Sequence, residues 1–303
     1  MNSPSGNATW TGYEFALAVA ADFEAFFDPA AQVNIPVSVE KCNFPCVRTN
    51  ANGSRIVIPE GMASEEIDGP DRLFFHLIIL GHEIAHIVHR HTQAVGLECE
   101  DDAALELWAD FYGAKVMMTV VTFGTNTNAF FRRFFAGDRH FEEPLESIGR
   151  ACGRLVDSVY TDHERYPRPL TRVGLILNGV VSFIRHHSAG TEMDPIWYYS
   201  VFKRIFAPQS IRDLMLLRPE TATFDPEPIM RAMQWHKREQ GSGSSIALGL
   251  NPALERYLHT TFDQTDEERA ASFEARLEEF RDGPYDLDLK NPFLRSPDQN
   301  EPS

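Results

Sequence analysis

The sequence predicts an α+β fold, mainly α, with a small antiparallel sheet placed just before a buried helix. Three observations carry this reading. Two short β-patterned runs lie within residues 33–59, and the segments after them follow a helical period. The run Leu73–Val88 is apolar nearly all round, as a helix packed on most sides must be. The chain has 303 residues, 43% of them hydrophobic, which is ample for a large core.

Taken in order, residues 1–11 form a polar leader. Tyr13–Phe27 is apolar at helical spacing and stops at Asp28-Pro29. Val33–Val39 alternates as a strand does, and Pro36 makes it an edge or bulged one. Thr49–Ser54 is turn-forming, and Arg55–Pro59 is a second strand. An edge strand directly before a buried helix offers a surface on which an extended peptide can pair. Ser64–Asp71 reads as an acidic loop. Helices are then expected over Arg72–His91 and Asp101–Thr122. Within Asn126–Phe135, four phenylalanines flank Arg132 and Arg133, a pattern of core packing with snorkelling arginines. Further helices are expected at Leu145–Tyr160, Pro169–His187, Pro195–Phe206, Ile211–Leu217 and Pro228–Arg238, with Trp197-Tyr198-Tyr199 and Trp235 as core aromatics. Gln240–Ser245 is a flexible loop, Thr265–Phe280 a charged helix, and Asp282–Ser303 an extended or disordered tail. No internal repeat is visible.

Composition narrows the function classes. A net charge of −16 disfavours nucleic acid and anionic membrane as partners. No stretch reaches the roughly 20 apolar residues that span a bilayer. The first residues lack the basic and apolar regions of a secretory signal. Four cysteines, Cys42, Cys46, Cys99 and Cys152, make no disulfide framework, and a reducing cytoplasmic location is expected. Cys42 and Cys46 are spaced like half of a structural zinc site, but no second close pair completes one, so plain thiols are the better reading.

The chemistry is concentrated in His82-Glu83-Ile84-Ala85-His86, an H-E-x-x-H pattern inside the apolar run. On a helix, positions i and i+4 share one face, so both imidazoles can bind one zinc ion. Glu83 then reaches a water on the metal and serves as general base, not ligand. If these were merely core histidines, three buried polar groups would need other partners, at about 1–3 kcal/mol for each left unpaired. A third ligand is available twenty residues on. Glu106 and Asp110 are themselves spaced i, i+4 among Leu105, Leu107, Trp108, Ala109 and Phe111, which argues against a solvated face. Glu106 completes a His₂Glu set, and Asp110 can hold the spare ring N–H of a ligating histidine. A histidine six residues after His86 is absent, since Thr92 stands there, which excludes the metzincin pattern.

The set His82-Glu83-x-x-His86 followed by Glu106-x-x-Ala109-Asp110 resembles the gluzincin arrangement. Within that group the chain is similar to the Lit-type phage-exclusion, or cell-death, peptidases. His91 fits a histidine of that family's HExxHVVxxH stretch, and Pro167 and Arg172 have the separation of its THPxxxxRI segment. Tyr166 stands where the family has histidine, and His163 lies three residues earlier, out of register. The likeness spans roughly residues 50–185.

The resemblance implies zincin-like active-site helices, with 1–187 the metallopeptidase core, 188–262 a helical part packed on it, and 263–303 an acidic helix and tail. It implies a zinc-dependent endopeptidase acting on an intracellular protein or peptide substrate, with a trigger or regulatory partner in phage defence or cell death. His82, His86 and Glu106 would hold Zn2+. Tyr166 or His163 would bind the oxyanion. Arg172 would hold substrate carbonyl or carboxylate groups, or pair with an acidic residue of the site. Three alternatives stay open. One is a zinc amidase on a small or modified peptide. Another is a non-catalytic sensor or interaction module whose metal is closed by a fourth ligand such as His89 or Cys99. The last is a protease held off by the acidic C-terminal segment covering its cleft.

Overall fold

The computed structural model describes residues 9–31, 33–51, 53–91, 99–135, 142–160, 166–189, 196–217 and 249–258, with scattered single positions between 230 and 274. The expected helix at 228–238, the loop at 240–245 and the segment 263–303 lie wholly or mostly outside the described residues. The fold is mainly helical with small sheets.

Strand β1 (Trp10–Thr11) runs directly into helix α1 (Gly12–Glu24). Thr11 caps that helix. Its hydroxyl accepts from the Glu14 backbone N–H while the Glu14 carboxylate accepts from the Thr11 backbone N–H, a reciprocal capping box. Phe15, Val19 and Phe23 of α1 are fully buried. The sheet follows, from β2 (Val37–Glu40), β3 (Cys46–Asn50) and β4 (Gly53–Pro59), in the order β2-β4-β3.

This sheet is mixed, not antiparallel. β3 and β4 form an antiparallel hairpin, whereas β2 and β4 are parallel, with Val37 opposite Ile56 and Glu40 opposite Pro59. The cause is strand insertion. The chain reverses between β2 and β3 and again between β3 and β4, so β4 regains the direction of β2 and slots between the two. The connection at residues 41–45 therefore crosses two strand spacings, roughly 9–10 Å. β4 is thus the central strand, with Ile56, Val57 and Ile58 buried, and the edge strands are β2 and β3. The turn after β3 is closed by Gly53 at φ 110, a conformation that suits glycine.

The acidic stretch Ser64–Asp71, expected as a loop, follows on from helix α2 (Glu60–Ser64) and holds strand β5 (Glu66–Ile67), which pairs antiparallel with β1. Glu65 between them is a tie-point. Its carboxylate accepts from His76 Nε2 at 2.9 Å and from Arg154 Nη2 at 2.9 Å. The His76 hydrogen bond is the main cause that holds the Glu65 carboxyl down at about 2, with Arg154 adding to it against the opposing effect of burial. In the unfolded chain that carboxyl titrates near 4.3, as a rough reference value. A depressed folded pKa contributes stability that is present above the unfolded value and is lost as pH falls toward about 2. Urea unfolding of the metal-free protein between those limits is expected to show a steeper loss of stability for wild type than for Glu65→Gln. Parallel acid limbs would remove Glu65 from the account.

Helix α3 (Pro70–Val88) opens with proline at its first position and is buried from Leu73 to Ala85. Helix α4 (Cys99–Phe123) runs back along it. Their backbones meet at two glycines. A Cβ on Gly81 would lie 2.4 Å from the Gly113 carbonyl oxygen, and one on Gly113 would lie 2.6 Å from the His82 backbone nitrogen. This close approach fixes the two helices beside His82 and sets Asp110 and Glu106, about one and two turns before Gly113, against the histidine face.

Helix α5 (Thr125–Phe131) ends earlier than the aromatic run suggests, yet Phe130 is buried against Trp10 and Arg133 lies over its ring. Helix α6 (Glu142–Ser158) packs on α3, and helix α7 (Pro169–His187) packs on α4, where Gly179 abuts the Phe111 carbonyl. Helices α8 (Trp197–Ile205), α9 (Gln209–Leu217) and α10 (Pro252–Leu258) add Val201, Ile205, Ile211 and Leu254 to the same core. Of the aromatic run of α8, Trp197 is half-buried against the core, whereas Tyr198 and Tyr199 are exposed. Cys42, Cys46 and Cys152 are free thiols, and the Cys99 side chain lies outside the described residues. Among the described residues, no helix is long and apolar enough to cross a membrane.

Candidate metal centre

Three side chains from two helices converge on one point. His82 and His86, one turn apart on α3, bring their Nε2 atoms within 3.0 Å of each other. The Glu106 carboxylate of α4 lies 3.4 Å from each, through Oε2 to His82 and Oε1 to His86. Donors on a tetrahedral zinc ion at about 2.0–2.1 Å stand roughly 3.3–3.4 Å apart. The His–Glu separations already match, and the His–His pair would open by a few tenths of an ångström. Among the described residues this is the one group of three whose donor atoms cluster in this way.

The orientation of each donor is built from behind. Asp110 is buried and accepts a hydrogen bond from His82 Nδ1 at 2.9 Å. That contact keeps the proton on Nδ1 and leaves the Nε2 lone pair aimed at the centre. Arg172, from the first turn of α7, donates to Asp110 through Nε at 2.7 Å and Nη2 at 3.0 Å. The same Nη2 stands 3.2 Å from Glu106 Oε2. Of the two roles open to Arg172, substrate contact or pairing with an acidic residue, the geometry places it in the second. Its guanidinium lies under the Tyr160 ring at 4.2 Å.

The electrostatics favour a cation. Burial works against a proton on His82, yet the carboxylates of Asp110 and Glu106 outweigh it and raise His82 to about 10. Burial alone would push Glu106 up, but His82 and His86 hold its carboxyl well below the usual range. Glu83 differs. Burial raises its pKa, and the neighbouring imidazoles only partly oppose this. A carboxylate made more basic in this way, beside two histidines that could hold a metal, has the property a general base needs.

The centre forms the floor of a cavity of about 340 Å³. Glu83 lines it beside the three donors. Ile78, Ile79, Leu155 and Val159 give it apolar lining, as do Phe44 and Pro45 just before β3 and Cys46 and Val47 at its start. Tyr166 is on the rim, 47% exposed. His163 lies outside the described residues. His89 turns away from the centre. Its Nδ1 donates to the Ala85 carbonyl at 2.9 Å, and its ring meets Tyr112 edge-on at 4.4 Å. It therefore does not close the metal site as a fourth ligand.

Sequence reasoning missed two parts of this site. Tyr160 lines the cavity and covers Arg172, and burial raises its hydroxyl pKa well above the ordinary value. It lies two residues past the end of α6, at no distinguishing spacing, so nothing in the sequence marks it. β3 carries only a short strand signal, because its last residues, Thr49 and Asn50, belong to a turn-forming run, although Val47 and Thr49 are ordinary strand formers.

No family model, curated protein or solved structure matches this chain. Its activity has to be argued from the chemistry of the centre.

Proposed function

We propose that the chain is a zinc-dependent endopeptidase whose metal is held by His82, His86 and Glu106. The observation that carries this is the set of three donors at 3.0, 3.4 and 3.4 Å on the floor of an open cavity, with the buried Glu83 beside them. A bound zinc ion supplies Lewis acidity and lowers the pKa of a water at the site. Glu83 accepts the proton of the attacking water and delivers it to the leaving amine. Asp110 holds the His82 ring, and Arg172 holds Asp110 and Oε2 of Glu106. Tyr166 on the rim would donate to the developing oxyanion.

The cavity also argues for a peptide over a small amide. β3 is an edge strand, and its first residues line the cleft, so an extended backbone can pair with it and run past the metal. The sequence suggested Arg55–Pro59 for this role, but that run belongs to β4, which is central in the sheet. A triggered role in phage defence or cell death rests on the resemblance alone.

Purified protein is expected to carry one zinc per chain by elemental analysis and to cleave unfolded proteins or long peptides in preference to small acyl amides. Glu106→Ala is expected to lose both zinc and cleavage. Full zinc retention in that variant would overturn the ligand set.

A further inference from the structure

The hydrogen-bond pattern around His86 assigns a role to a fourth histidine. His82 has Asp110 behind its Nδ1. Among the described residues no carboxylate stands behind His86; its Nδ1 lies 2.9 Å from Nδ1 of His91. We infer that His91 is a positioning residue for the metal centre, accepting the Nδ1–H of His86 and thereby presenting the His86 Nε2 lone pair to the ion. This rests on the zinc reading of the site.

The argument is one of proton accounting. Two nitrogens at 2.9 Å need one proton between them. If Nε2 of His86 is to bind a metal it carries no hydrogen, so the neutral ring has its proton on Nδ1 and donates it. His91 Nδ1 must then be the acceptor, which puts the His91 proton on its own Nε2. An imidazole thus does for His86 what a carboxylate does for His82, and the two ligands are held in the same tautomer by different chemistry.

The backbone supports a built contact. His91 is buried although it lies beyond the end of α3, and its ring stacks on His89 at 5.6 Å. Between the helix end and His91 the chain passes through Arg90 at φ 54, the one non-glycine residue in the left-handed region among the described residues. That conformation is unfavourable for a residue with a Cβ, and here it turns the chain back so that His91 meets a ligand one turn inside the helix. His89, tied to Ala85 and packed on Tyr112, serves as the platform.

The test compares zinc affinity, by competition with a chromophoric chelator, for wild type, His91→Leu and His91→Asn, with the melting point of each metal-free protein as the folding control. His91→Leu fills the space without an acceptor and is expected to bind zinc roughly 10–100-fold more weakly. His91→Asn restores an acceptor oxygen and is expected to stay within about threefold of wild type, as a residue supporting a ligand should. Equal affinity for wild type and His91→Leu, or equal weakening of both variants, would overturn the assignment. Should either variant fail to fold, the nitrogen-15 shifts of the zinc-loaded wild type decide. A proton on His86 Nδ1 with a bare His91 Nδ1 supports it, and a protonated His91 Nδ1 overturns it. Wild type that binds no zinc would instead bring down the metal reading itself, an outcome distinct from a loss confined to His91→Leu.

Discussion

Glu83→Gln is expected to retain one zinc per chain and to lose peptide hydrolysis by roughly 10²–10⁴-fold, the range a positioned general base contributes. The substitution keeps side-chain length and shape, so the walls of the cavity stay in place. It removes only the ability to take a proton. Glu83 is buried beside the donors but does not belong to the cluster that would hold the metal, so zinc content should not change. Its raised pKa has burial as the leading cause, which means the folded protein keeps the charged form at a cost. Neutral glutamine relieves that cost, and the variant's melting point is expected to equal or exceed that of wild type. Loss of activity with full zinc and undiminished stability would isolate the proton-transfer role. Wild-type turnover in the zinc-loaded variant would eliminate it.

How much of this could be read beforehand depended on the range of the interaction involved. The His82–His86 pair and the Glu106–Asp110 pair were legible because i, i+4 spacing is a local property of a helix, and their apolar neighbours signalled burial. Helix α7 has the bounds its sequence suggests, Pro169 to His187, because proline opens it and nothing inside breaks it. The sheet was read in part. Two strands were found, but β3 was not, and parallel pairing of β2 with β4 is a long-range fact that alternation within one strand cannot express. Arg172 could be placed near acidic groups but not assigned to Asp110, because that contact depends on how α7 crosses α4 at Gly179. The left-handed Arg90 is equally invisible from sequence, since arginine carries no preference for that conformation.

The second large effect is expected at Asp110, because one carboxylate there serves two buried partners. Asparagine at this position can still accept from His82 Nδ1, but its amide hydrogens then face the Arg172 guanidinium. Breaking a buried ion pair by removing one partner costs about 3–5 kcal/mol. The lower end applies, since Arg172 Nη2 keeps Glu106 Oε2 at 3.2 Å. That residual contact does not replace the support behind His82, where a neutral amide is a weaker acceptor than a carboxylate for the Nδ1–H, so the variant should also bind zinc roughly 10–100-fold more weakly. The two effects separate in a cycle with Arg172→Met, which removes the unpaired charge but leaves His82 without its carboxylate. In the metal-free protein, Asp110→Asn/Arg172→Met should recover most of the stability lost in Asp110→Asn, as measured by urea unfolding. Zinc affinity should remain weak in both. Recovery of affinity along with stability would mean that Asp110 acts only as a counter-ion to Arg172. A weak site in a restored fold would mean that the carboxylate is needed to orient His82, which is the arrangement the 2.9 Å contact describes.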